Sequence, residues 1–186
     1  MKKSSLAIIG IVGVPAKYGG FETFVDNMLP FFHEYDTRVY CSKLNYDIKI
    51  KSYKGALLKY VNLPANGPLS LLYDAVSIMR SINSDNMLIL GVSGSWVLPF
   101  FRILSPRTNI IANIDGIEWR REKWGFFTKL LLKYLEKIIV KYSNRIILDN
   151  KALIKDFEKN NKRFNEKIKI IEYGGDHINL KNDSTS

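Results

Sequence analysis

Residues 8–25, IIGIVGVPAKYGGFETFV, place glycine, lysine and carboxylate at one joint of the chain. An apolar run stops at Gly10. A loop follows with Pro15, Lys17, Tyr18 and the Gly19-Gly20 pair, and a helix-like run opens with Phe21 and Glu22. The first N–H groups of a helix lack intrahelical acceptors and sit at the positive end of its dipole, which suits a phosphate. Gly20 would leave the approach clear, and Lys17 adds a cation. A tight turn that needs glycine for its backbone angles explains the same pair equally well. Two familiar phosphate loops are excluded. The dinucleotide fingerprint needs G-x-G-x-x-G, whereas here Gly10 and Gly13 are followed next by Gly19, and the run VYCSK ends in Ser42 and Lys43 instead of an acid. A Walker loop needs Lys followed by Ser or Thr, and Tyr18 follows Lys17.

Residues 113–125, NIDGIEWRREKWG, form the second group with chemistry. An acid just past a strand end, Asp115, can accept a proton or bind a sugar hydroxyl. Trp119 offers a flat apolar face for a sugar ring or a lipid, and Arg120 and Arg121 suit phosphate. The alternative is structural: Asp115 caps a turn and Trp119 plugs a helix end. Gly91, Ser93, Gly94 and Ser95 follow another strand-like run and either make room for a ligand or only turn the chain. His33 and His177, the two histidines, are too far apart in sequence to suggest a metal site.

The elements that position these groups alternate. Strand-like runs lie at 6–12, 37–41, 56–63, 86–92, 109–113, 145–148 and 168–172. Helical spacing appears at 21–33, 69–81, 96–104, 124–142 and 151–159. The alternation predicts an α/β domain: a single Rossmann-like, three-layer fold with a mostly parallel sheet of about seven strands. Loops after strand ends are then the place where ligands bind. Asp149-Asn150 reads as a helix N-cap, residues 64–68 as a loop, and residues 45–54 as a solvated excursion. In the helix at 124–142, Phe127, Leu131, Tyr134, Leu135, Ile138 and Tyr142 predict a packed stripe. Lys129, Lys133, Lys137 and Lys141 recur every fourth residue. They read either as a solvated face or as a face toward anionic lipid, at about 1 kcal/mol per lysine.

The bulk properties narrow the partners. The chain has 186 residues and a net charge of +10, which suggests an anionic partner without choosing one. Only net charge speaks for nucleic acid, with no recognisable motif. One cysteine, Cys41, excludes an internal disulfide and reads as a buried strand residue of a cytoplasmic protein. The longest charge-free run, 86–101, is too short to span a bilayer, so any membrane contact would be peripheral.

Taken in order, GVPAKYGGFETFV, ANGPLSLLYD, ILGVSGSWVLP, NIDGIEWRREKWG and IEYGGDH resemble the amino-terminal half of bacterial family-4 rhamnosyltransferases, which build capsule and O-antigen repeat units. The resemblance implies one half of a GT-B fold: an acceptor-side domain over residues 1–177, then a polar tail or linker start at 178–186. It implies that Gly19 and Gly20, with Lys17, meet a donor diphosphate delivered across a cleft. It places Tyr18, Phe21, Glu22, Ser93, Trp119 and Arg120 at the acceptor and makes Asp115 a candidate catalytic contact. The implied reaction is retaining and needs no metal or other cofactor. The implied donor is the sugar nucleotide dTDP-rhamnose. The implied acceptor is a sugar on undecaprenyl diphosphate at the inner face of the plasma membrane. The donor-binding domain of such enzymes is absent from these residues, so the chain alone is expected to have little or no transferase activity and to need a second domain or a separate donor-domain chain. The rival expectation is a non-catalytic basic α/β module docking on anionic membrane or a partner protein.

Overall fold

The computed structural model describes residues 3–17, 19–114, 118–120, 122 and 124–172. Eight strands form one sheet: β1 (Ser4–Ile9), β2 (Tyr35–Ser42), β3 (Ser52–Tyr53), β4 (Ala56–Val61), β5 (Asn86–Leu90), β6 (Asn109–Ile114), β7 (Arg145–Leu148) and β8 (Ile168–Ile170). Their order is β3-β4-β2-β1-β5-β6-β7-β8. Every pairing is parallel except the edge pair of β3 with β4. The expected α/β architecture is therefore present, with eight strands in place of about seven.

Residues 47–49, 51, 52 and 54 are exposed, as the reading of a solvated excursion at 45–54 expects, but the segment also holds the additional strand. Lys54 and Gly55 both adopt positive φ, 43° and 83°, as a two-residue hairpin turn requires. The turn folds Ser52–Tyr53 back onto β4. Tyr46 is buried, and Tyr53 packs against the core beside β2.

Five α-helices cover the sheet: α1 (Gly20–Met28), α2 (Ser70–Met79), α3 (Leu98–Leu104), α4 (Phe126–Tyr142) and α5 (Ile154–Asn160). Alternation along the strands divides the core. In β1, Ala7 and Ile9 pack toward Tyr73, Leu98, Leu135, Ile139 and Phe157, which come from α2 to α5. Leu6 and Ile8 pack the other way, toward Val25 and Leu29 and the half-buried Phe21 and Phe24. Cys41 is buried in β2 as expected, and burial pushes its thiol up to about 11. The cap at Asn150 is also as expected: its Oδ1 accepts from Ala152 N–H at 2.8 Å, opening a short 3₁₀ turn before α5.

Connections from β1 lead to β2 and β4 on one side, and the chain then crosses to β5 on the other side of β1. The strand order thus reverses between β1 and β5. In an open parallel sheet the crevice beyond the carboxyl ends of two such strands is the place where ligands bind.

Candidate functional site

The loop after β1 sits at that crevice, and its backbone is tied down almost residue by residue. Gly10 adopts φ 95°, and a side chain there would collide with Leu90 O at the end of β5. The Tyr73 hydroxyl, buried in α2, lies 2.9 Å from Ile11 O and 3.0 Å from Tyr40 O, sharing one proton between two carbonyls. Ser42 N–H donates to Val12 O at 2.8 Å, and Glu22 Oε1 accepts from Val12 N–H at 2.8 Å. Tyr46 donates its hydroxyl to Pro15 O at 3.0 Å, across a cis peptide bond between Val14 and Pro15. Ala16 N–H donates to Asp26 Oδ2 at 2.7 Å. Asp26 also binds the Lys54 ammonium and accepts from Tyr53. Desolvation alone would raise the Asp26 pKa, but the bonds from Ala16, Lys54 and Tyr53 outweigh it and hold the carboxyl below its ordinary value.

What this scaffold presents is the start of α1. Gly19 is the N-cap residue at φ 115°, and a Cβ on it would strike the Glu22 carboxylate. Gly20 is exposed, and a Cβ on it would meet nothing within 4 Å. The first intrahelical bond runs from Thr23 N–H to Gly19 O, so the N–H groups of Gly20, Phe21 and Glu22 precede it. Gly19 and Gly20 therefore do different jobs: one shapes the turn, the other leaves open space at the helix end.

The remaining residues of this segment are largely committed to the loop. Lys17 donates to Asn45 O at 2.9 Å and lies over the Tyr46 ring at 4.9 Å. Phe21 packs into the core with Val25. Glu22, expected at the acceptor, is buried and braces Val12. Its unit charge exceeds the roughly half charge of a helix dipole. An anion here would therefore depend on directed N–H groups and on cations from outside this loop. Tyr18 lies outside the described residues.

The loop after β5 forms the opposite rim. Gly94 lies against α2 so closely that a Cβ would strike the Asp74 backbone and side chain. Ser93, half-buried, hydrogen-bonds the buried Asp74 carboxylate. Desolvation raises the Asp74 pKa to about 7, and the Ser93 bond opposes that rise. Ser95 donates to Leu135 O at 2.8 Å, tying the same loop to α4. Adjacent residues of one helix, Tyr73 and Asp74, thus hold the two loops that flank the switch in strand order. Sequence reading missed both, because their partners lie in the loops that they hold, far along the chain.

Asp115 and Arg121 lie outside the described residues. Trp119 is half-buried, and its Nε1–H donates to Glu136 Oε2 at 2.9 Å. The ammonium of Lys133 lies 4.9 Å and the guanidinium of Arg120 5.4 Å from the centre of its ring. Glu136 is buried in α4 and also accepts from Asn161 Nδ2 at 3.3 Å. Burial pushes its carboxyl up, against the bonds from Asn161 and Trp119. Trp119 is thereby docked on the side of α4, with cations against its ring.

The four lysines of α4 do not form one face. A four-residue step advances about 40° beyond a full turn, so the row spirals around the helix. Lys129 and Lys133 are half-buried, whereas Lys137 and Lys141 are exposed. The predicted packed stripe also needs correction. Leu135 is buried, and Ile138 and Tyr142 pack partly, but Phe127, Leu131 and Tyr134 are exposed.

A cavity of about 610 Å³ lies at the other end of the sheet, among Arg102, Lys141, Asn144 and Lys167. Two of its cations already serve the fold: Arg102 donates to Tyr142 O at 2.6–2.9 Å and Lys167 to Lys141 O and Ser143 O at 2.9–3.2 Å. They meet carbonyls at the end of α4, where the dipole favours positive charge.

With loops, helix start and sheet order in place, comparison with known families matches residues 3–176 to DUF1972, a domain of unknown function. The chain belongs to the DUF1972 family. No curated protein matches it. In this DUF1972 domain the match takes in both loops at the strand-order switch, the Trp119 segment and the whole described sheet.

Proposed function

We propose that this DUF1972 domain is the acceptor-side half of a retaining glycosyltransferase that moves rhamnose from dTDP-rhamnose to a sugar on a lipid diphosphate. One observation carries the reading: a rigidly braced loop presents an unobstructed helix start at Gly20, at the reversal of strand order. Two further points support it. DUF1972 domains are found in glycosyltransferase-associated amino-terminal domains, and the motif series GVPAKYGGFETFV to IEYGGDH resembles rhamnosyltransferases.

In this reading the N–H groups at Gly20 and Phe21 face the β-phosphate of the donor and stabilise the charge that grows as the sugar–phosphate bond breaks. Lys17, held beside the loop, adds to the field without contacting the phosphate. Attack and departure share one face of the sugar, so the departing phosphate oxygen takes the acceptor hydroxyl's proton, no side chain has to remove it, and Asp115 serves as a polar contact. Ser93, Trp119 and Arg120 border the acceptor. Donor binding and orientation come from a second domain, and orientation of two reactants supplies a large part of the rate. The test is rhamnosyl transfer measured with dTDP-rhamnose and lipid-linked acceptors. The domain alone should give little product and a two-domain version should give transfer. Robust transfer by the domain alone, or none by the two-domain version with any acceptor, contradicts the reading.

A second reading is a non-catalytic basic module that docks on anionic membrane or a partner protein. The exposed Lys137 and Lys141 favour it. Transfer by a two-domain version would rule it out as the whole function.

A further inference from the structure

The outward faces of α3 and α4 carry apolar residues that the core does not use. Phe126 is 76% exposed, Phe127 83%, Leu130 60% and Tyr134 60%. On α3, Phe100 and Ile103 are 63% and 77% exposed. The helices pack against each other, and Arg102 of α3 reaches Tyr142 O at the end of α4, so the two faces are neighbours in one layer. Single exposed apolar side chains are ordinary; a run of them over adjacent helices marks a contact surface.

The charges on these helices say what the surface meets. α3 contains no acidic residue, and α4 contains only Glu136, which is buried and bonded to Trp119 and Asn161. The exposed cations of α4, Lys137 and Lys141, follow the apolar cluster along the same outward face. A second copy of this chain meeting it face to face would bring the same lysines and no carboxylate to pair with them. An anionic bilayer matches both halves of the face: rings and aliphatic chains enter the headgroup–acyl boundary, and ammonium groups meet lipid phosphates. α4 starts at the carboxyl edge of the sheet, the same end as the loop that presents Gly20.

We propose that the shoulder formed by Phe126, Phe127, Leu130 and Tyr134, with Lys137 and Lys141, seats the domain in the interface of an anionic membrane. The apolar end enters the lipid and the lysines hold its surface. This deepens the reading above by naming the surface that reaches a lipid-linked acceptor, and it rests on that reading for its purpose. The experiment reads membrane binding alone. A negative transfer assay with membrane binding intact therefore sinks only the transfer reading.

Vesicle flotation of the 186-residue chain tests it, with phosphatidylglycerol–phosphatidylcholine vesicles against phosphatidylcholine alone. The chain should float with the anionic vesicles only. The triple variant F126S/F127S/L130S should lose at least about tenfold in partition coefficient. K137Q/K141Q should lose about fivefold per lysine at low salt. All five side chains are exposed, and unchanged thermal unfolding midpoints would establish that the variants fold. Three results would overturn the proposal: no binding to anionic vesicles, equal binding by the triple serine variant, or a wild-type dimer that the triple variant dissociates while vesicle binding stays the same.

Discussion

The sharpest contrast between residues is that between Gly19 and Gly20. Gly19→Ala forces φ 115° on a side chain that would also strike Glu22. It should destabilise the domain by about 1–3 kcal/mol, read as a lower urea midpoint. Gly20→Ala meets nothing within 4 Å and should stay within about 1 kcal/mol of wild type. In a two-domain version it should still lower transfer, because its methyl group occupies the space left for the phosphate. If both variants unfold alike, the division of labour is wrong. Tyr73→Phe gives a second check: it leaves Ile11 O and Tyr40 O without their shared donor in a buried site and should cost about 1–3 kcal/mol. Gly20 was legible in the sequence because glycine before a helix is a local signal. Glu22 was not, since its bond to Val12 folds the chain back ten residues. Tyr73 was beyond reach, with a partner 62 residues away.

Among the elements, α2 ties the two rims of the crevice together, and Asp74 makes that tie sensitive to pH. Its carboxyl titrates at about 7 in the fold and near its ordinary value of 3.8 when unfolded. Between those values the folded state holds the extra proton. Stability should therefore fall as pH rises from about 4 to about 7 and stay lower above that. Asp74→Asn removes this dependence while keeping an acceptor for Ser93. The unfolding temperature of the variant relative to wild type should climb across that pH range, and a flat difference from pH 4 to 8 would contradict the assignment. The helices themselves were legible from periodicity, but periodicity does not say which apolar residues find cover. Phe126, Phe127 and Leu130 lie on the side of α4 turned away from the buried Leu135 and Ile139, outside the core. The same limit hid β3, whose two residues depend on a turn at Lys54-Gly55 and on pairing with β4.

For the whole molecule, alternation of strands and helices was enough to predict a parallel sheet with its ligand edge at the strand ends. The strand order was not, since nothing local tells the chain to cross from β4 past β1 to β5. That crossing decides that the loops after β1 and β5, and not any other pair, flank the crevice. In the proposed function this crevice receives a diphosphate at the start of α1. Glu22 offsets the helix dipole there, so the domain by itself should bind weakly and directionally. The direct measurement is a titration of the ¹⁵N-labelled domain with dTDP at millimolar concentration, followed through backbone amide shifts. Saturable shifts are expected centred on Gly19, Gly20 and Phe21, with Gly20→Val abolishing them while the rest of the spectrum stays folded. Shifts that leave these three amides unmoved and gather elsewhere, for example around Arg102 and Lys167, would contradict it.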